Sequence, residues 1–319
     1  MKKATIELLT EQAAAFYDYH KKKLYILETS ETTADLHTEA EKMALSHELA
    51  HALADQQFHL DKYIREGSRS DDDSTARLAV MEGQASWLMT AYVSKLSTGQ
   101  AAVPPGVLEL MTHAIESSAM QYPVFAKAPL YLRESLTFPY TTGTLFQNAI
   151  YEKLGQESFS EVFRHPPEST QQIFHPEKYL DHVSPEKPAL PVIPDAKRYR
   201  KIDDGTLGEF DFRVMLEQYS GKEESQSLAP HTTGGIYELV ESKTDRHPVL
   251  AFAVNWDTPD SAASFFRAYR KVLEGKSKDC AFVEDSANTL SGRNQYGEFR
   301  VRQDGKRFEA VEGLPSQVH

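Results

Sequence analysis

The stretch LSHELAHALADQ, Leu45 to Gln56, sets two histidines four residues apart, with a glutamate directly after the first. On an α-helix, residues i and i+4 lie on one face about 40° apart, so His47 and His51 are placed to hold one ion between them. Imidazole nitrogen suits Zn2+ at about 2.0–2.1 Å. Glu48 then sits about 100° round the helix, beside such an ion, where a general base must be to take a proton from water. Leu49, Ala50, Ala52 and Leu53 are apolar and no proline interrupts them. The helix is therefore expected to be buried on most sides, and its polar residues to need partners. The plain alternative is a structural helix whose histidines only satisfy hydrogen bonds, but a buried His-Glu-His cluster is costly without a ligand.

A catalytic zinc takes three protein ligands and keeps one position open. Asp55 lies eight residues from His47, about 12 Å along the helix, too far to share that ion. The metzincin pattern needs a glycine three residues after the second histidine and a histidine three further on. Ala54 and Gln57 stand there, so that pattern fails. The remaining solution takes an acid from the next helix. In RLAVMEGQASWLM, Glu82 is the only acid in an otherwise uncharged, mainly apolar run from Leu78 to Met89, an expensive place for an unpaired carboxylate. Gly83 would let the two helices approach closely. The alternative for Glu82 is a helix-surface glutamate flanked by core positions.

The paired motifs HELAH (47–51) and EGQA (82–85) resemble the gluzincin metallopeptidases, in which two helices supply His, His and Glu to zinc. Similarity to a poorly characterised bacterial group of predicted zinc-dependent peptidases extends over EQAAAFYDYHKKKLYIL, HELAHALADQQFHL, AVMEGQASWLM, PPESTQQIFHPEKYL and WDTPDSAASFFRAYRKVL. The resemblance implies a zincin-like catalytic domain in which His47, His51 and Glu82 hold Zn2+. Glu48 would act as general base on water and later protonate the leaving amine. The implied substrate is a peptide or protein. Two alternatives stand beside it: a non-catalytic binding module with a structural zinc, and a metal-dependent amidase acting on a non-protein substrate.

Asp55, one turn beyond His51, is a candidate to orient a ligand histidine, or else a solvated or capping aspartate. His59 reads as a surface or packing residue. Gluzincins commonly add a His or Tyr that hydrogen-bonds the oxyanion. His175, before Pro176, is the candidate, with Tyr140 and Tyr179 as alternatives; a structural role for His175 has equal standing. The strand KLYIL could pair with an extended substrate, while Lys21, Lys22 and Lys23 more simply keep a sheet edge from aggregating.

The 319 residues suffice for two domains. A net charge of −12 argues against nucleic acid or an anionic membrane surface as a main partner. No window approaches the roughly 18 apolar residues of a membrane span. Cys280 is the sole cysteine, which excludes an internal disulfide and a cysteine-rich zinc site. The opening MKKATIELLTEQ is interrupted by Glu7 and Glu11 and does not read as a secretory signal. Met1 fits a native start or one left after a leader was removed, and localisation and oligomeric state stay open.

The predicted fold is α+β. A mainly helical domain with a short N-terminal sheet spans 1–184, a Pro-rich linker 185–195, and a smaller α+β domain 196–319. Helices are expected over 5–16, 39–63, 75–94, 106–118, 141–154 and 158–163, and a strand over 22–28. GSRSDDDS (67–74) reads as a linker. PEKPALPVIP (185–194), with four prolines in ten residues, reads as a stiff connector. Beyond it, 207–219 and 261–274 read as helices, GGIYELVES and PVLAFAVNW as strands, and the C-terminal end as a hairpin turned at Asp304-Gly305. No site is legible in this second part; Trp256-Asp257 and Gly234-Gly235 suggest turns and packing.

Overall fold

The computed structural model describes residues 15–26, 39–67, 70–101, 103, 104 and 106–316. The helix expected over 5–16 falls largely outside these residues. Where it overlaps the described chain, Ala15 and Phe16 are strand. β1 (Ala15–Asp18) and β2 (Lys23–Ile26) form an antiparallel hairpin with Phe16 opposite Tyr25 and Tyr17 opposite Leu24. The helices α1 (Glu39–Phe58), α2 (Leu60–Gly67), α3 (Asp71–Thr98), α4 (Val107–Ala119), α5 (Pro123–Ala126), α6 (Leu130–Thr137), α7 (Thr142–Leu154), α8 (Ser158–Arg164), α9 (Thr170–Phe174) and α10 (Pro176–Leu180) follow. Then come β3 (Tyr199–Leu207), α11 (Glu209–Ser220), α12 (Lys222–Leu228), β4 (Thr232–Ser242), β5 (Pro248–Trp256), α13 (Pro259–Gly275), β6 (Ala281–Asp285), β7 (Thr289–Asn294), β8 (Gly297–Asp304) and β9 (Arg307–Leu314). The chain is α+β.

It divides into two compact units. The first runs to residue 182 without 70–72 and 169–171; those two stretches join everything from 183 onward in the second.

In the first unit the single helix expected over 39–63 is two. His59 takes a left-handed backbone (φ 54°), and the Asp55 carboxylate accepts the Leu60 N–H at 3.0 Å, capping α2. The expected linker at 71–74 is instead the first turn of α3, where three aspartates face the positive end of the helix dipole. Gly99, at φ 80°, ends that helix. α1 is less enclosed than its composition suggests. Ala50, His51, Ala54 and Asp55 are buried, whereas Leu49 and Leu53 are 53% and 57% exposed on another face.

α3 is the spine of this unit. Trp87 and Ala91 pack with Leu108 of α4, and around them lie Tyr151 of α7 and Phe159 of α8. Gly83 meets a glycine of α7 and not α1. A Cβ at Gly83 would meet the backbone of Gly143 and Thr144 under 3.0 Å away, and a Cβ at Gly143 would meet the Ala79 carbonyl. Gly83→Ala gains about 1 kcal/mol of helix propensity but forces two backbones apart, for which overpacking costs of about 1–3 kcal/mol or more are typical. Net destabilisation in urea unfolding is the expected result; a stabilised variant would contradict the close approach.

The second unit is a seven-stranded antiparallel sheet in the order β3-β4-β5-β9-β8-β7-β6. Helices cover one face. Phe265, Tyr269 and Val272 of α13 and Phe212 and Leu216 of α11 pack on Phe252, Val254, Trp256, Phe299 and Phe308. Thr258 caps α13 by accepting the Ser261 N–H at 3.1 Å, with Pro259 in the first turn. On the other face Val240, Val249, Ala251 and Val311 gather with Ile193 and Tyr199. The proline-rich stretch is therefore not a free-standing connector. Glu186 donates its N–H to the Thr233 carbonyl at 2.8 Å, Arg307 donates to the Ala189 carbonyl at 2.6 Å, and Ile193 is buried against the sheet. The final hairpin turns one residue later than expected, through Gly305 and Lys306, with Gly305 at φ 57°.

Candidate metal centre

α1 presents His47 and His51 and α3 presents Glu82 to a common point. His47 Nε2 lies 3.1 Å from Glu82 Oε2, His51 Nε2 lies 3.2 Å from the same oxygen, and the two Nε2 atoms stand 3.1 Å apart. Among the described residues this is the one group of three or more His, Cys, Asp or Glu whose ligand atoms converge in this way. Ligands at about 2.0–2.1 Å from one zinc at tetrahedral angles stand about 3.3 Å apart. The chain's own atoms thus already hold ligand spacing, and the N, N, O donor set is one that zinc accepts. Lone pairs aimed at one another are otherwise satisfied only by sharing protons.

The electrostatics follow from this packing. Burial pushes the Glu82 carboxyl up, but the His51 and His47 rings outweigh it and hold it well below the usual carboxylate range. Burial opposes charge on His51, and Glu82 overcomes this to raise its pKa. Tyr140, placed just before α7, stacks on His47 with ring centroids 5.9 Å apart. Its hydroxyl hydrogen-bonds Glu82, and burial together with that carboxylate raises its pKa far above the ordinary tyrosine value, so it remains a donor.

Glu48 projects beside this group. Its Oε2 accepts the Tyr17 backbone N–H of β1 at 2.7 Å, and Oε1 carries no hydrogen bond among the described residues. Burial raises its pKa, against the pull of His51, His47 and the Tyr17 N–H.

Asp55 does not orient a ligand histidine. Its oxygens accept the Tyr17 hydroxyl at 2.8 Å, Lys22 Nζ at 2.7 and 2.6 Å, and the Leu60 N–H at 3.0 Å. Burial pushes its carboxyl up, yet Lys22, Tyr17 and Leu60 outweigh burial and lower it. A carboxyl lowered in the folded state contributes stability that is present above its unfolded value, about 3.9, and lost as pH falls through the folded one. Asp55→Asn is therefore expected to flatten the loss of stability in urea between about pH 5 and pH 3; an unchanged slope would contradict this. The same contacts correct the reading of the lysines. Lys22 lies in the hairpin turn and points at Asp55, and Lys21 pairs with Asp18 at 3.4 Å.

His175 is the residue before α10, at its N-cap, and stands 3.6 Å from Glu177. None of the hydrogen bonds, ion pairs or ring contacts of His47, His51 or Glu82 involves it. Tyr179 is spent on the His165 carbonyl at 2.8 Å, and His59 is an exposed hinge between helices. Of the residues considered for a role beside the ligands, Tyr140 is the one brought to the group. Tyr17 was not singled out in the sequence, because only the fold carries it 31 residues along the chain to Glu48.

Residues 197–318 match a family described as a domain of unknown function, DUF8575. No curated protein and no solved structure matches the chain. The matched segment covers the seven-stranded sheet and its helices; His47, Glu48, His51 and Glu82 lie outside it. Among the described residues no helix is long and apolar enough to cross a membrane.

Proposed function

We propose that the first unit is a zincin-like, gluzincin-type metallopeptidase in which His47, His51 and Glu82 hold one Zn2+ and Glu48 is the general base. One observation carries this reading: the convergence of His47 Nε2, His51 Nε2 and Glu82 Oε2 within 3.1–3.2 Å, with Glu48 next in sequence to a ligand. Zinc bound there would supply Lewis-acid polarisation of the scissile carbonyl and lower the pKa of water. The rest falls to the chain. Glu48 is pinned through Oε2, which leaves Oε1 to take the proton of the attacking water and deliver it to the leaving amine. Tyr140 holds the Glu82 carboxylate in place, as hydrogen-bonded carboxylate ligands generally require. A structural zinc is closed by a fourth protein ligand, usually cysteine. The group here has three members among the described residues, and Cys280 is not one of them.

The test is cleavage of a mixed peptide library by the zinc-loaded chain, the chelated chain and the reloaded chain. Cleavage lost on chelation and restored by zinc is the expected result. A library left intact by a chain holding one zinc would favour the binding module, or an amidase whose substrate is not a peptide.

A further inference from the structure

Tyr17 meets α1 at two carboxylates seven residues apart. Its backbone N–H donates to Glu48 Oε2 at 2.7 Å, and its hydroxyl donates to Asp55 Oδ2 at 2.8 Å. Spanning about two helical turns takes a long, rigid side chain that ends in a donor, which tyrosine is and phenylalanine is not. The hydroxyl pKa is pushed up to about 12 by burial and Asp55, so the donor persists at neutral pH.

Asp55 holds the hairpin at a second point. Lys22 sits in the left-handed region at φ 54°, a conformation that costs a non-glycine residue about 1–2 kcal/mol. Glycine would suit that turn better by backbone alone. What lysine adds is Nζ, which reaches both Asp55 oxygens at 2.7 and 2.6 Å. Phe16 and Tyr25 stack across the strands, centroids 4.9 Å apart and planes at 13°. A lone two-stranded hairpin is marginal in water, so these anchors decide where β1 lies.

We infer that Tyr17 and Asp55 are positioning residues for Glu48: Asp55 fixes the Tyr17 hydroxyl, and the Tyr17 N–H thereby fixes one oxygen of the base and leaves the other to the substrate side. The inference rests on the peptidase reading for what Glu48 does. It assigns Asp55 to the base and not to the metal ligands, so its loss acts on turnover and leaves zinc in place.

The experiment uses the zinc-loaded full chain as wild type, Tyr17→Phe, Asp55→Asn and the double variant. Tyr17→Phe leaves the Lys22 and Leu60 bonds to Asp55 intact, so it reports even if Asp55→Asn folds poorly. The amide proton of residue 17, followed by NMR with Glu48→Gln as the reference for its assignment to a carboxylate bond, should move upfield in each variant. On any peptide the wild type cleaves, kcat should fall about 10–100-fold with KM and zinc content within twofold, and the double variant should be no worse than the poorer single. Unmoved amide resonances in an active protein, or kcat losses matched by zinc loss, overturn the positioning role alone. A zinc-loaded wild type that cleaves no peptide overturns it together with the peptidase reading.

Discussion

Glu48→Gln is expected to keep about one zinc per chain and to lose about 10²–10⁴-fold in turnover, the range general-base catalysis contributes. The separation of the two effects follows from the geometry. The three converging ligand atoms belong to His47, His51 and Glu82, and none belongs to Glu48. Glutamine preserves the shape of the side chain, and its carbonyl oxygen can still accept the Tyr17 N–H that now meets Oε2. What it lacks is the capacity to take a proton from water. Metal content by atomic spectroscopy beside initial rates on a cleaved peptide measures both. A variant retaining wild-type turnover would remove Glu48 from the mechanism.

Glu82→Ala is expected to act the other way round and abolish metal retention first. Removing a partner outside the ligand shell typically costs about 10–100-fold in metal affinity; the proposed site puts Glu82 inside that shell, so a loss of more than about 100-fold is expected. The two histidines that remain share one helix and offer only two ligands. The Tyr140 hydroxyl also loses the carboxylate it bonds. Competition with a chromophoric chelator reads the affinity directly; affinity unchanged within tenfold would mean that zinc sits elsewhere.

What was legible in the sequence is what rests on local spacing. His47 and His51 share a helical face because they are four residues apart. Glu82 stood out because an acid in an apolar run has to be paired, and in the structure both histidine rings pair it. The second unit was read from its buried strands. PVLAFAVNW is a central strand covered on both faces and is correspondingly apolar. β3 and β6 escaped notice because they are the two edges of the sheet. YRKIDDGTL and AFVED are mostly exposed, so they carry little of the alternation that marks a half-buried strand.

The helix break at His59 and the shifted turn at Gly305 are local; four other departures come from contacts distant in sequence. Ala15 and Phe16 read as the end of a helix, yet β1 is settled by pairing with β2 and by the Tyr17 bonds to α1. Asp55 was read through its neighbour His51 four residues away, whereas its partners Tyr17 and Lys22 lie 38 and 33 residues away. Gly83 was assigned to the nearest expected helix, but its close neighbour is Gly143, sixty residues on. PEKPALPVIP behaves as a connector by composition alone; the sheet beneath it supplies the Thr233 carbonyl and the Arg307 guanidinium that tie it down.

Anomalous diffraction at the zinc edge from crystals of the zinc-loaded chain tests directly whether His47, His51 and Glu82 hold the metal. One zinc is expected, about 2.0–2.1 Å from His47 Nε2, His51 Nε2 and a Glu82 oxygen, with Glu48 beside it and no fourth protein ligand. Zinc bound at other residues, a fourth protein ligand closing the site, or no zinc between α1 and α3 in fully loaded crystals would contradict this.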